Sequence, residues 1–206
     1  MDDDDEIRTA LQSLLQSVGL HVELFASVQA FLGSATPDRL GCLVLDVRLP
    51  GRSGLDFHDD LIKANISMPV IFISGHADIP MSVRAMKAGA IEFLTKPVRH
   101  QDFLDAIQLA IDRDRTRRED ERTIAGLQTN FDTLTLRERE VMNLVVAGCL
   151  NKQIAWEMGV TEATVKGHRG QVMRKMQAAS LAELVRISDA LKLPSPKLRE
   201  FPTKVS

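Results

Sequence analysis

The sequence predicts an α/β domain built on a doubly wound parallel sheet, followed by an all-α domain that carries a helix-turn-helix. Three observations carry this expectation. Between residues 4 and 100, amphipathic stretches alternate with short, apolar, β-branched runs, the pattern of parallel strands covered by crossover helices. After Asn130 the periodicity is helical throughout. Charge is divided as well: the net is −4 over residues 1–100, −2 over 101–131 and +4 over 132–206, so the basic surface is C-terminal, where a polyanion would bind. The 206 residues suffice for two domains of roughly 100 residues each. The expected division is residues 1–112 for the α/β domain, 113–131 for a helical linker, 132–193 for the helix-turn-helix domain and 194–206 for a flexible tail.

Helices are expected over residues 5–17, 28–34, 54–64, 79–88 and from 100 onward. Strands are expected over His21–Ala26, Cys42–Asp46, Val70–Ser74 and Ile91–Thr95, divided by turn signals such as Pro50-Gly51 and Gly89. From Gln101 to about Gly126 the helical pattern continues through Asp112–Arg122, where apolar residues vanish. Each charged residue there reads as solvated, although the helix as a whole could transmit a rearrangement between domains. Thr135-Leu136-Arg137-Glu138 is a capping box that opens a helix running to about Ala147. Asn151 is expected to cap a second helix, Lys152–Met158. Gly159-Val160 then makes a short turn, and Thr161 caps a third helix that continues to Met176. The tail from Pro194, with three prolines and few apolar residues, is expected to fray.

The acidic start Met1–Asp5 has the wrong charge for a secretory signal, and no apolar run approaches the ~20 residues needed to cross a bilayer, so a cytoplasmic protein without membrane contact is expected. Cys42 and Cys149 fall in different domains, which argues for reduced thiols rather than a disulfide or a zinc site.

Ligands of a parallel sheet gather at the carboxyl ends of its strands. The polar residues there form a coherent set: Asp2 and Asp3 before the first helix, Asp46 after Cys42–Leu45, Ser74 after Val70–Ile73, and Lys96 after Phe93–Thr95. Converging carboxylates repel one another and would take up protons unless a hard cation balanced them, which suggests Mg²⁺ held by oxygen ligands. Asp46 could then attack a phosphoryl group whose oxygens Lys96 and Ser74 bind. Taken singly, Asp46 before Leu49-Pro50-Gly51 also suits a turn, and the acidic run also suits a solvated helix N-terminus. Their joint spacing favours the site.

Across Asp2 to about Ala110 the chain resembles the receiver domains of two-component response regulators, specifically the FixJ type, a flavodoxin-like fold. The matching stretches are Asp2-Asp3-Asp4 with Ile7-Arg8, Leu43–Gly54, Ser74-Gly75-His76-Ala77-Asp78, Ala85–Ala90 and Phe93–Pro97. The resemblance implies that a sensor histidine kinase phosphorylates Asp46, with Mg²⁺ bound by Asp3, Asp46, the Arg48 main-chain carbonyl and, through water, Asp2. It also implies that Ser74 and Phe93 switch on phosphorylation, reshaping the face of the fourth helix and fifth strand, and that Lys96-Pro97 is a cis peptide. One departure stands out. Receivers of this family begin with an apolar first strand in the middle of the sheet, whereas only Met1 precedes Asp2 here. The first strand is therefore expected to be missing from this sequence, with Met1 an internal residue of that strand in a longer native protein.

In the third helix of the C-terminal domain, Val165, His168, Val172 and Met176 cluster on one side of a helical wheel and are expected to pack inward. Ala163, Lys166, Gly167, Gly170 and Arg174 form the opposite face, small and basic, which would let the helix axis approach the floor of a major groove. Two glycines inside a helix cost roughly 1 kcal/mol each relative to Ala, a conflict that close backbone approach would explain. Taken alone, the segment also suits a plain helical bundle with a solvated basic face. Leu134–Val141, Gly148, Asn151–Ala155, Thr164-Val165-Lys166 with His168-Arg169, and Ser180–Leu184 resemble the LuxR-type domain. That resemblance implies phosphate contacts from Lys152, Thr161, Thr164 and His168 and groove contacts from Lys166 and Arg169, with Arg174 a further candidate. Gly167 departs from the larger side chain common in the family, which leaves the number of base-reading contacts open.

The function expected is that of a transcription factor whose DNA binding is controlled by phosphorylation of Asp46 by a sensor histidine kinase. Modified receivers would pair as a homodimer and bring two DNA-binding domains onto adjacent promoter half-sites, with RNA polymerase a further partner. An enzyme with turnover is not expected. Two alternatives stand beside it. One is a phosphorylation-independent dimeric DNA-binding regulator that uses a degenerate receiver as an interaction module. The other is a small aspartate-nucleophile phosphatase, which would leave the basic helix-turn-helix unexplained.

Overall fold

The structure, a computed structural model, describes residues 1–34, 39–75 and 78–194. The chain divides into two compact units, Met1–Arg118 and Glu119–Ser206. The first runs through α1 (Asp5–Ser17), α2 (Val28–Leu32), β1 (Leu43–Asp46), a short antiparallel hairpin of β2 (Arg48–Leu49) and β3 (Arg52–Ser53), α3 (Gly54–Lys63), β4 (Val70–Ser74), α4 (Ile79–Lys87), β5 (Glu92–Thr95) and the start of α5 (His100–Asp132). The main sheet is parallel, in the order β1-β4-β5.

The apolar run of β4 follows from burial on both of its faces. Val70 and Phe72 enter one cluster with Phe31, Phe57, Leu61 and Ala85 of α2, α3 and α4. Ile71 joins another, with Leu15 of α1 and Phe103, Ala106, Ile107 and Ala110 of α5. This is the doubly wound arrangement, with helices on both faces of the sheet. Asp4 caps α1, Ser53 caps α3 and Asp78 caps α4, each accepting from backbone N–H groups of the first turn.

The expected strand His21–Ala26 is not formed; the segment is irregular. A strand is held by ladder bonds to a neighbour. Among the described backbone bonds, the segment has one to the chain start, from the Asp2 N–H to the Phe25 carbonyl at 3.3 Å. Met1 itself lies in register beside β1: its nitrogen donates to the Val44 carbonyl at 2.6 Å and its carbonyl accepts from the Asp46 N–H at 2.9 Å. Further along this edge of β1 opens a cavity of about 410 Å³ whose lining includes Leu11, Leu15, Val22, Phe25, Val44 and Ile107. It lies between α1, the His21–Ala26 segment, β1 and α5.

α5 is one continuous helix to Asp132, past the expected end near Gly126. Within its charged stretch Asp114 departs from the solvated reading, being 1% exposed. Its carboxylate accepts from the Gly41 N–H at 3.1 Å, Arg117 at 2.5 Å and Arg118 at 2.8 Å, while Arg118 also donates to the Arg39 carbonyl at 2.8 Å. The helix is thereby pinned to the loop that leads into β1. Both cysteines are free thiols, and burial together with Asp114 pushes the Cys42 thiol up to about 12.

The second unit holds α6 (Leu136–Val146), α7 (Asn151–Met158), α8 (Glu162–Lys175) and α9 (Leu181–Ala190) around Val141, Met142, Ile154, Val165, Val172, Met176 and Leu184. Thr135 and Glu138 form the expected reciprocal capping box. Gly159, at φ +65°, closes α7 in the left-handed region and permits the tight turn into α8. Asn151 does not cap α7. Leu150 takes that position and its N–H is accepted by Gln153 Oε1 at 2.7 Å, which frees the Asn151 side chain for another partner. Among the described residues no helix is long and apolar enough to cross a membrane. The tail expectation from residue 195 on, and His76-Ala77 of the matched motif, lie outside the described residues.

Candidate functional site

The carboxyl ends of the strands bring Asp2, Asp3, Asp46, Ser74 and Lys96 to one side of the sheet. Asp46 ends β1; its Oδ1 accepts from the Arg48 N–H at 2.8 Å and its Oδ2 from Lys96 Nζ at 2.5 Å. Lys96 also donates to Asp2 Oδ2 at 2.7 Å. Its backbone is set just past β5 by the bond from Lys96 N–H to the Ser74 carbonyl at 2.8 Å. Asp2 and Asp46 are buried and Asp3 is exposed, with one carboxylate oxygen of each lying within 4.8 Å of the others. Ser74 is fully buried and follows Ile73, the register partner of Asp46. Phe93 is partly buried, its ring 6.3 Å from that of Phe72. Lys96-Pro97 is cis, as the resemblance implied.

Burial pushes the Asp46 carboxyl up, against the pull of Lys96 and the Arg48 N–H. For Lys96, burial would lower the pKa, but the bonds to Asp2 and Asp46 outweigh it and hold the ammonium above its ordinary value. Three carboxylates thus gather where Lys96 pairs with two of them, Asp2 and Asp46, and the Arg8 guanidinium binds the Asp2 carbonyl. The excess negative charge, offered entirely by oxygen donors, fits a small divalent cation.

In the C-terminal unit, α8 turns Val165, Val172 and Met176 into the core and leaves Ala163, Lys166, Gly167, Gly170 and Arg174 exposed, with His168 half-buried between them. Among the described residues a Cβ at Gly167 or Gly170 would meet nothing within 4 Å, so no packing among them demands either glycine. Thr161 Oγ1 caps α8 through the Thr164 N–H at 3.2 Å and shares a bond with Thr164 Oγ1 at 2.9 Å. Lys152 is exposed in the first turn of α7. Arg169, a neighbour of Lys166 one turn on, is half-buried, and its guanidinium donates to Asn151 Oδ1 at 2.6 Å, toward the start of α7.

Sequence reasoning gave Arg8 and Gly54 no role, and gave Asn151 that of a helix cap. Arg8, on α1, donates to the Asp2 carbonyl at 2.6 Å and to Asp5 at 2.7 Å, fixing the backbone that carries the acidic pair. Gly54 packs directly on the Asp46 carbonyl. Both act through contacts that local periodicity does not encode, although both lay in stretches already quoted for their resemblance.

Comparison with known proteins agrees with this geometry. Residues 1–108 match the response regulator receiver domain family, and residues 132–188 match the family of bacterial regulatory proteins of the luxR type. The chain is 54% identical over 191 residues to nodulation protein W of Bradyrhizobium diazoefficiens, covering 93% of this chain and 84% of that one. It is 42% identical over 190 residues to the transcriptional regulatory protein FixJ of Azorhizobium caulinodans, covering 91% and 89%. Among solved structures, the response regulator StyR superposes with a TM-score of 0.80 at 46% identity, covering 92% of this chain and 96% of that one.

Proposed function

The chain belongs to the two-component response regulators that join a receiver domain to a LuxR-type DNA-binding domain, and from that membership we propose that phosphorylation of Asp46 by a sensor histidine kinase controls its binding to promoter DNA. The observation that carries the proposal is the buried Asp46 carboxylate at the end of β1, held by Lys96 at 2.5 Å beside Asp2 and Asp3.

In the transfer, an Asp46 carboxylate oxygen forms a bond to phosphorus in line with the breaking bond between phosphorus and the donor imidazole nitrogen. Lys96 moves its ammonium from the carboxylate to a phosphoryl oxygen, and the Ser74 hydroxyl binds another. Asp3, Asp46, the Arg48 main-chain carbonyl and, through water, Asp2 would hold Mg²⁺, which when bound screens the phosphoryl charge. Movement of Ser74 toward the phosphoryl group draws Phe93 inward beside Phe72. That reshapes the α4 and β5 face, and modified receivers pair as a homodimer that sets two DNA-binding units on adjacent half-sites.

On DNA, Lys166 and Arg174 face the major groove while Lys152, Thr161, Thr164 and His168 bind phosphates. The open space around Gly167 and Gly170 supports close approach of the α8 backbone to the duplex. RNA polymerase is the further partner at the promoter.

Acetyl phosphate with Mg²⁺ tests this reading. Wild-type chain should gain one phosphoryl group and bind promoter duplex more tightly, and Asp46→Asn should abolish both. Labelling that leaves DNA affinity unchanged would favour a phosphorylation-independent regulator, and labelling that survives Asp46→Asn would refute the assignment of the acceptor.

A further inference from the structure

The expected groove contacts included Arg169, yet the structure gives that side chain an internal partner. With 3.6 residues per turn, Arg169 lies about 40° from the buried Val165, about 60° from Lys166 and about 140° from Arg174 around α8, at the edge of the exposed face. It is half-buried, and its guanidinium donates to Asn151 Oδ1 at 2.6 Å across 18 positions of sequence. Asn151 is available because Gln153, not Asn151, serves the free N–H at the start of α7. At the other end of α8, Lys175 Nζ donates to Glu138 Oε2 at 2.7 Å and to the Thr133 carbonyl at 3.1 Å, tying the last turn to the capping box of α6. Two basic side chains of α8 therefore anchor the helix to its neighbours, while Lys166 and Arg174 remain on the exposed face.

We infer that Arg169 is a positioning residue: held by Asn151, it fastens α8 to the first turn of α7 and so sets where Lys166 meets the duplex, rather than reading a base itself. The inference rests on the DNA-binding reading above. The physical reason is the tolerance of groove recognition. A reading side chain must be placed to within about half an ångström, and a helix free to roll loses that placement while keeping its charge. The charge-assisted bond between Arg169 and Asn151 opposes such a roll.

The test compares two duplexes, one selected by the full-length wild-type chain with acetyl phosphate and Mg²⁺ from a random-sequence pool, the other the unselected pool. Urea unfolding shows which variants are folded. Asn151→Ala should lower the ratio of selected to random affinity roughly tenfold, Asn151→Ser, too short to reach the guanidinium, should match it, and Asn151→Asp should restore the ratio by accepting the same N–H. In an Arg169→Ala background, Asn151→Ala should cost nothing more. Because the readout is a ratio, any uniform repulsion between the carboxylate introduced by Asn151→Asp and the phosphates cancels. The inference is overturned if Arg169→Ala lowers the ratio while Asn151→Ala and Asn151→Ser leave it intact, since Arg169 would then read DNA unaided. Equal weakening on both duplexes would overturn it too, making Arg169 a phosphate contact. A wild-type chain that selects no duplex would instead remove the DNA-binding reading on which the inference stands.

Discussion

A methyl group on Gly54 would overlap the main-chain carbonyl oxygen of Asp46. Gly54 is buried at the first position of α3, and its N–H bonds the Val47 carbonyl at 2.9 Å, so the helix start is pressed against the backbone that presents Asp46. Backbone cannot yield as a flexible side chain can. Gly54→Ala should destabilise the receiver by about 1 to 3 kcal/mol, the usual range for overpacking, and slow labelling of Asp46 by acetyl phosphate. Urea unfolding and a labelling time course check both. An unchanged rate would mean that the loop relaxes without disturbing the pocket.

Lys96 compensates Asp2 and Asp46 together, and its removal should expose their mutual repulsion. Lys96→Ala should cost about 3 kcal/mol of receiver stability without metal, the penalty of stranding buried charge. Added Mg²⁺ should restore much of that loss while labelling of Asp46 stays low, because the metal replaces the charge but not the ammonium donor to the phosphoryl oxygen. Thermal or urea unfolding with and without Mg²⁺ separates the two effects. Full labelling of the variant would remove Lys96 from the transfer step.

Two buried side chains contribute to the receiver's acid sensitivity in separate windows. His58 on α3 is 5% exposed, its Nδ1 has no hydrogen-bond partner among the described residues, and its ring stands edge-on to Phe72 at 5.5 Å. Burial holds its pKa below the ordinary 6.5, against the opposing field of Asp59. The unfolded chain therefore takes up a proton that the folded imidazole refuses, and stability present above that ordinary value is lost as pH falls below it. Asp114 behaves differently in origin but alike in sign. Burial would raise its pKa, but bonds from Arg117, Arg118 and the Gly41 N–H outweigh this and hold it below 3.8, so its contribution is present above the carboxylate range and lost as pH falls through it. His58→Leu should shrink the upper step and leave the lower. Asp114→Ala should shrink the lower one at a cost of about 3 kcal/mol near neutral pH. Unfolding midpoints of the receiver against pH check the pair, and a single step common to wild type and both variants would refute the assignment.

What could be read beforehand follows from how local each signal is. β4 was legible to the residue because burial on both faces writes an uninterrupted apolar run from Val70 to Ile73. The gathering of Asp2, Asp46, Ser74 and Lys96 was legible because a parallel sheet collects its strand ends, which makes residues scattered in sequence neighbours by topology. His21–Ala26 has strand-like composition but lacks a paired neighbour beyond Met1-Asp2, and pairing is not a property of the segment itself. Asp114 sits in a charge run that reads as solvated, yet its partners include Gly41, 73 positions away. Asn151 looked like a cap because capping residues are recognised by position, whereas the structure moved the cap one residue back and used the amide to hold Arg169.

The exposed face of α8 makes the sharpest prediction about DNA. Lys166 is exposed on the same side as Gly167 and Gly170, where the surface is lowest and nothing within the chain would obstruct a Cβ. A lysine flanked by such small residues can reach the groove floor, and there it discriminates a base through acceptor atoms that its neighbours do not present. Lys166→Ala should therefore weaken binding to the selected duplex by about 1 to 3 kcal/mol and relax preference at one position of the site. Binding to random duplex should change little by comparison. Competition between the two duplexes, with selection repeated by the variant, measures both. Equal loss on both, with an unaltered preference and a shallower salt dependence, would make Lys166 a phosphate contact and leave base reading to Arg174 or to the shape of the duplex.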